Sequence, residues 1–270
     1  MSLLRNSNLL VYKIDSSITP EEENKRLDII KYALENKKVI PYYQGLFNNK
    51  TNKIDKYEAL MRIIGPDGTV YSPEYFMPIS KKYKLYLDLN LCIFNAVLND
   101  FSLMDCPVSV NLSPYLLLSK SFCKTVFSQI QSFYKPNNLI LEILEDESAI
   151  DIDELAPFIT EARKLGVKIA IDDFGAGYSN LLSVIKLQPD FVKIDGKIIK
   201  DVHTCFVNEV VVETVAQMGQ KLSIPLVAEY VENDDIQKVV ERYGIMYSQG
   251  YHFSKPKPFQ DVKQKTGINK

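Results

Sequence analysis

The sequence is poor in the residues that build soft-metal centres. It holds two histidines, His203 and His252, too few for a histidine-rich site. Its four cysteines, Cys92, Cys106, Cys123 and Cys205, form no CxxC pair. They read as small buried hydrophobes of a reducing compartment, not as disulfides or zinc ligands. No signal peptide is visible, and no run approaches the roughly 20 apolar residues of a membrane span. These features predict a cytoplasmic chain with no membrane segment. A basic excess is also missing: the formal net charge is -2, which argues against binding long nucleic acid. A small anion held through metal ions stays possible, because the ions supply positive charge locally. There is no fixed-period repeat and no low-complexity segment.

What is present is an ordinary globular composition, 46% apolar and 24% charged over 270 residues, enough for a large core. Thr19-Pro20-Glu21-Glu22 predicts a helix start, with a threonine cap, proline in the first turn and Glu22 completing a capping box. Leu27, Ile30 and Leu34 carry that helix over about 20–36. Strand-like runs then fall near 39–46, 56–64, 107–112, 138–143, 167–172, 190–194, 224–229 and 245–249. Helical stretches at 73–83, 88–101, 120–134, 151–165, 179–187, 206–221 and 233–243 separate most of them. The polar turn Asn48–Lys53 is too short for a crossover helix, so the first two strands should form an antiparallel hairpin. The alternation that follows predicts an α/β fold, a modified (β/α)8 TIM-like barrel with an antiparallel first strand.

Polar residues end nearly every apolar run: Glu58, Asn111, Glu142, the pair Asp172-Asp173, Lys193 and Glu229. In a barrel of this kind such positions meet at one mouth, where the chemistry gathers. Acids facing one another there require a positive partner. A donor set of oxygens, without thiolate or imidazole, selects Mg²⁺ or Mn²⁺. Consecutive strand residues point to opposite faces, so Asp172 and Asp173 reach one site only where the strand gives way to a loop. One of the two could bridge a pair of ions about 3.5–4 Å apart, the spacing used for in-line displacement at phosphorus. Lys193, the lone cation, suits a nucleophilic water or a phosphoryl oxygen. Phosphodiester hydrolysis is the leading expectation.

The same residues resemble the EAL-domain cyclic di-GMP phosphodiesterases. Tyr57-Glu58-Ala59-Leu60-Met61-Arg62 matches the signature, and Val110–Ser113, Leu141–Glu145, Ile171–Ser179, Asp190–Asp195, Ala228–Glu232 and Ser248–Tyr251 follow in the family's order. The likeness covers about 24–262. It implies metal-dependent opening of cyclic di-GMP to linear pGpG with two Mg²⁺ or Mn²⁺ ions. Glu58, Asn111, Glu142, Asp172, Asp173 and Glu229 would be metal ligands; Lys193, Glu229 and Glu58 would carry the reaction, Lys193 beside the attacking water and Glu229 a candidate base. Gln44, Leu60, Arg62, Asp88 and Gln249 would contact substrate. Glu145 and Glu232 would support the ligands from behind, Glu145 holding the 172–180 loop. The resemblance also implies a homodimer, formed through the helix and loop after Asp173, and an upstream GGDEF or sensory domain, of which Leu9–Lys13 would be the closing strand. Residues 1–23 would then be a linker or the tail of that domain, 24–262 the barrel and 263–270 a C-terminal tail. Three positions depart from the family pattern: Gly45 for proline, Ala176 for threonine and Tyr230 for glycine. The competing reading is a non-catalytic cyclic di-GMP receptor.

Overall fold

The computed structural model describes residues 18–102, 104–133, 135–144, 152–175 and 181–265. The expected strand at Leu9–Lys13 lies outside these residues. In chain order, α1 (Pro20–Glu35), β1 (Val39–Asn48), β2 (Lys53–Ile64) and β3 (Val70–Tyr71) come first. Next are α2 (Pro73–Lys82), α3 (Tyr86–Phe101), β4 (Val108–Leu112), α4 (Pro114–Leu117), α5 (Lys120–Ser132) and β5 (Leu139–Leu144). Then follow α6 (Ile152–Lys164), β6 (Lys168–Phe174), α7 (Leu181–Leu187), β7 (Phe191–Ile194), α8 (Gly196–Ile199) and α9 (Phe206–Leu222). The chain closes with β8 (Leu226–Ala228), α10 (Asp234–Arg242), β9 (Tyr247–Ser248), β10 (Lys257–Pro258) and α11 (Phe259–Lys265). The short elements β3, α4, α8, β10 and α11 are additions to the expected pattern, too brief for a periodicity to register.

Contacts divide the chain into two compact units, one formed by residues up to Ile40 with Met61–Cys92, the other by Pro41–Leu60 with the chain from Ile93 onward. In the first, Thr19 caps α1 by accepting from the Glu22 amide. The expected return bond of a capping box is replaced: Glu22 accepts instead from Arg26 Nε at 2.9 Å. Arg26 in turn donates to the Tyr75 carbonyl at 3.1 Å and stacks on the Tyr75 ring, tying α1 to α2. Leu27, Ile29, Ile30 and Ala33 bury the inner face of α1, with Phe76 and Ile79 buried on α2. The end of β2 pairs with β3 antiparallel at Ile63 and Ile64.

The second unit contains the barrel. The strand order is β1-β9-β8-β7-β6-β5-β4-β2, and β1 pairs with β2 to close it. From β2 through β4, β5, β6, β7, β8 to β9 every pairing is parallel, whereas β1 meets β9 antiparallel. The first strand is therefore the reversed one, as the short turn requires. Asn48 builds that turn, its Oδ1 accepting from the Lys50 and Thr51 amides, and Asn52 takes a left-handed φ of 55°.

Inside the barrel, Leu46, Ile140, Ala170, Phe191, Val227 and Tyr247 form one apolar cluster, each from a different strand. Strand side chains alternate between faces, so positions two residues further along share the inward face. Those positions are Glu142 after Ile140, Asp172 after Ala170, Lys193 after Phe191 and Glu229 after Val227. A dry layer thus floors a polar layer nearer the C-terminal strand ends. The cysteines are free among the described residues. The expectation that all four are buried fails: Cys92 is exposed and the others are half-buried. Cys92 lies on the outward face of α3, between the inward Leu89 and Ile93. Cys106 and Cys123 still satisfy their thiols on the Asp55 and Leu117 carbonyls.

Candidate metal centre at the barrel mouth

Lys193 is the hub of the polar layer. It is 1% exposed, and its Nζ lies 3.1 Å from Glu58, 2.8 Å from Glu142, 2.9 Å from Asp172 and 2.7 Å from Glu229. These acids arrive from β2, β5, β6 and the end of β8. Glu58 is further fixed by Asn111 Nδ2 at 2.7 Å and Gln249 Nε2 at 2.6 Å. Gln249 also donates to Gln44 Oε1, and Gln44 Nε2 donates to the Ser254 carbonyl. Gly45, at the first departure from the family pattern, uses its own amide, donating to Ser254 Oγ at 3.3 Å; proline has no such donor.

The aspartate pair is presented differently from expectation. The strand does not give way to a loop at Asp172. It continues to Phe174, and a bulge between Ile171 and Phe174 shifts its register against β7. Asp173 takes a left-handed φ of 54° within that bulge. The irregularity breaks the alternation locally and lets two consecutive carboxylates serve one site.

Two overlapping groups of acids result, Glu58, Glu142 and Asp172 in one and Asp172, Asp173 and Glu229 in the other, with carboxylate oxygens within 4.8 Å of each other in each group. Asp172 belongs to both. Five carboxylates face one ammonium, a formal charge of -4 if all ionise. The titration behaviour follows. Burial, then the neighbouring Glu58, push Glu142 up to about 8 despite Lys193. Burial with Asp172 and Asp195 raises Asp173 to about 6. Glu229 is held well above the carboxylate range by burial, with Asp172 and Glu58 adding to it. Burial also opposes ionisation of Glu58, yet Lys193, Gln249 and Asn111 together keep it below its usual value. Lys193 stays charged well above the ordinary lysine value: burial is outweighed by its four acids.

Such a cluster suits divalent cations. Its donors are all oxygens, and the buried Oδ1 of Asn111, Oδ1 of Asp172 and Oε1 of Gln249 have no hydrogen-bond partner among the described residues. Asp172 Oδ1 touches Lys193 only as an ion pair. Buried oxygens without a donor are costly, and a cation among them would remove that cost.

The remaining expected site residues are more dispersed. Leu60 is half-buried on β2, two residues past Glu58. Arg62 and Asp88 belong to the first compact unit. Arg62 donates to the Met61 carbonyl at 2.7 Å; Glu74 is held below its usual value first by a hydrogen bond from Ser72, with the Arg62 charge adding to it. Asp88 sits inside the first turn of α3, not at its cap. Glu232 is exposed, and Glu145 lies outside the described residues, as does Ala176. One residue escaped the sequence reading. Asp195, 5% exposed, accepts from the Lys197 amide at 2.7 Å, while its Oδ2 is buried without a hydrogen bond and its charge raises Asp173. Its local signal is that of a helix cap, since it follows the end of β7 and caps α8.

The fold and site define an α/β barrel with an oxygen-lined acidic centre at its C-terminal mouth. A model described as the EAL domain matches residues 27–256, and the chain belongs to the EAL domain family. It is 30% identical over 241 residues to the probable cyclic di-GMP phosphodiesterase PdeA of Escherichia coli K12, covering 87% of this chain and 33% of that protein. To the cyclic di-GMP phosphodiesterase PdeA of Borreliella burgdorferi it is 27% identical over 264 residues, covering 94% and 39%. Among solved structures, the PaMucR phosphodiesterase in complex with c-di-GMP superposes with a TM-score of 0.82 at 26% identity, covering 88% of this chain and 99% of that one. An EAL domain protein of Listeria monocytogenes gives 0.82 at 25% identity, covering 90% and 98%. The chain spans a third to a half of the length of the first curated relatives it matches.

Proposed function

We propose that this chain hydrolyses cyclic di-GMP to linear pGpG with two Mg²⁺ or Mn²⁺ ions. The observation that carries the reading is the pair of acid groups sharing Asp172 around the buried Lys193. Glu58, Asn111, Glu142, Asp172, Asp173 and Glu229 would hold the ions, with Asp172 common to both. When bound, a two-ion centre polarises the phosphoryl group and provides an activated water for in-line attack.

The protein's own groups supply the rest. Lys193 is fixed by four acids and offers its ammonium to the attacking water or a phosphoryl oxygen, where negative charge grows in the transition state. Glu229, at the end of β8 and 2.7 Å from the Lys193 ammonium, is the proton acceptor of this reading. Glu58 is kept anionic by Lys193, Gln249 and Asn111, ready to bind a cation. Gln44, Leu60 and Gln249 are the substrate contacts of this reading within the barrel unit. Glu145 and Glu232 would support the ligands from behind, as the family resemblance implies.

Residues 24–262 form the working domain in this proposal, with 1–23 as a linker and 263–270 as a tail. The chain acts in the cytoplasm as a homodimer, joined to an upstream GGDEF or sensory domain. Exposed apolar side chains on two helices following Asp173, Ile185 on α7 and Phe206 and Val207 on α9, support self-association. No helix among the described residues is long and apolar enough to cross a membrane.

The test is incubation of the protein with cyclic di-GMP and Mg²⁺ or Mn²⁺, with EDTA as control and products followed by chromatography. Metal-dependent pGpG establishes the reading. Binding of cyclic di-GMP without turnover would replace it with the receptor reading, and absence of binding would reject the substrate.

A further inference from the structure

We propose that Tyr230 positions the substrate, its ring forming a platform on which one guanine base of the cyclic dinucleotide stacks; this rests on the phosphodiesterase reading above. Tyr230 directly follows Glu229, whose carboxylate is 2.7 Å from Lys193 Nζ. Its backbone is left-handed, with φ 57°, a conformation that glycine adopts freely and that a bulky residue adopts only under constraint. The constraint is visible on both sides. The Glu229 amide donates to the Ile194 carbonyl at 3.3 Å, and the Val231 amide to the Gln249 carbonyl at 2.9 Å. Behind Val231, Gly250 approaches so closely that a Cβ there would lie 1.9 Å from the Val231 oxygen.

This rigid backbone sets the ring down in one place. Tyr230 Cβ, Cγ and Cδ2 lie 2.8, 3.4 and 3.5 Å from where a side chain at Gly196 would begin. Gly196 opens α8, three residues after Lys193. The inner part of the side chain is therefore seated on the turn that follows the catalytic strand. Yet Tyr230 remains 51% exposed, while its neighbour Val231 is fully buried, and its hydroxyl has no hydrogen-bond partner among the described residues. A residue that filled space for the core would be covered, and one that anchored a loop would use its hydroxyl. An aromatic ring held at its root, open to solvent and borne by the residue that follows Glu229 has the properties of a stacking surface. Purine bases present a planar π-face to such a ring, without demanding hydrogen-bond readout.

The experiment compares wild type, Tyr230→Gly and Tyr230→Phe. Tyr230→Gly suits the left-handed backbone, and its thermal melt monitors the fold. Steady-state kinetics are measured on cyclic di-GMP and on bis(p-nitrophenyl) phosphate, which carries no purine. Binding is followed with a cyclic dinucleotide in which 2-aminopurine replaces one guanine, in Ca²⁺ buffer, where stacking quenches fluorescence. Loss of one base-ring stack predicts KM and Kd for the dinucleotide about tenfold higher in Tyr230→Gly, with kcat within twofold and the quench relieved. Tyr230→Phe should match wild type on both substrates. If wild type is active on cyclic di-GMP and Tyr230→Gly leaves KM and Kd within twofold, the stacking role is wrong. An equal fall in kcat on both substrates would also overturn it, making Tyr230 a support for Glu229. A wild type that neither binds nor cleaves cyclic di-GMP would instead reject the function on which it rests.

Discussion

Replacing Lys193 by methionine removes the one ammonium that, among the described residues, is within reach of four acids, while keeping most of the side-chain volume. Each contact, at 2.7–3.1 Å, is worth about 5–6 kcal/mol of Coulomb attraction at an effective dielectric near 20. Burial of the charges offsets most of that sum. What survives truncation of one partner in a buried ion cluster is a loss of about 3–5 kcal/mol. The loss depends on pH. Without Lys193 the acids hold protons more tightly in the folded state than in the unfolded chain, so the native form binds more protons and stability falls as pH rises. Lys193→Met should therefore cost the full amount near pH 8 and clearly less near pH 5. Saturating Mg²⁺ or Mn²⁺ should restore much of it, because the ions supply the missing positive charge. Turnover should collapse in either case. The assay is urea unfolding followed by circular dichroism, at both pH values, with EDTA or with metal. An equal loss under all four conditions would mean that Lys193 acts only through packing. No loss would refute the electrostatic account.

The metal-free wild type should itself lose stability as pH rises from about 5 to 8, since Glu142 near 8 and Asp173 near 6 lie above their unfolded values; the Tm gained on adding Mn²⁺ should grow over the same window, and a flat Tm in EDTA would contradict it. Glu58→Ala and Asp172→Ala should each abolish hydrolysis and the Mn²⁺-induced Tm shift while circular dichroism stays native; near-normal turnover in either would dismiss the metal-site assignment. Gly250→Ala should cost about 3 kcal/mol or more in urea unfolding, because the added Cβ meets Val231 backbone atoms at 1.9–2.5 Å; a change below about 1 kcal/mol would show that this segment yields.

The sequence carried much of this because barrel geometry converts position into location. Period-two alternation along a strand places Glu142, Asp172, Lys193 and Glu229 on the inward face, two residues beyond apolar positions of the same strands. The hairpin of β1 and β2 followed from a turn too short to cross the sheet. Less legible were features that depend on distant partners. Asp195 was passed over, since its importance comes from Asp173 across a strand junction. The Glu22 return bond was expected from local spacing and lost to Arg26, a competitor one turn away. Residue type alone predicts a buried Cys92, whereas the rotation of α3 turns it outward.

By itself, then, the sequence determined the alternation of strands and helices, the reversed first strand and the oxygen-only character of the site, because these depend on local pattern and on side-chain chemistry. The tertiary structure decided how the acids share Lys193, that Asp172 belongs to two groups at once, and that a bulge with a left-handed Asp173 delivers the second aspartate. Those outcomes follow from the register between strands far apart in the chain and from the balance of burial against charge, neither of which is written in any one segment.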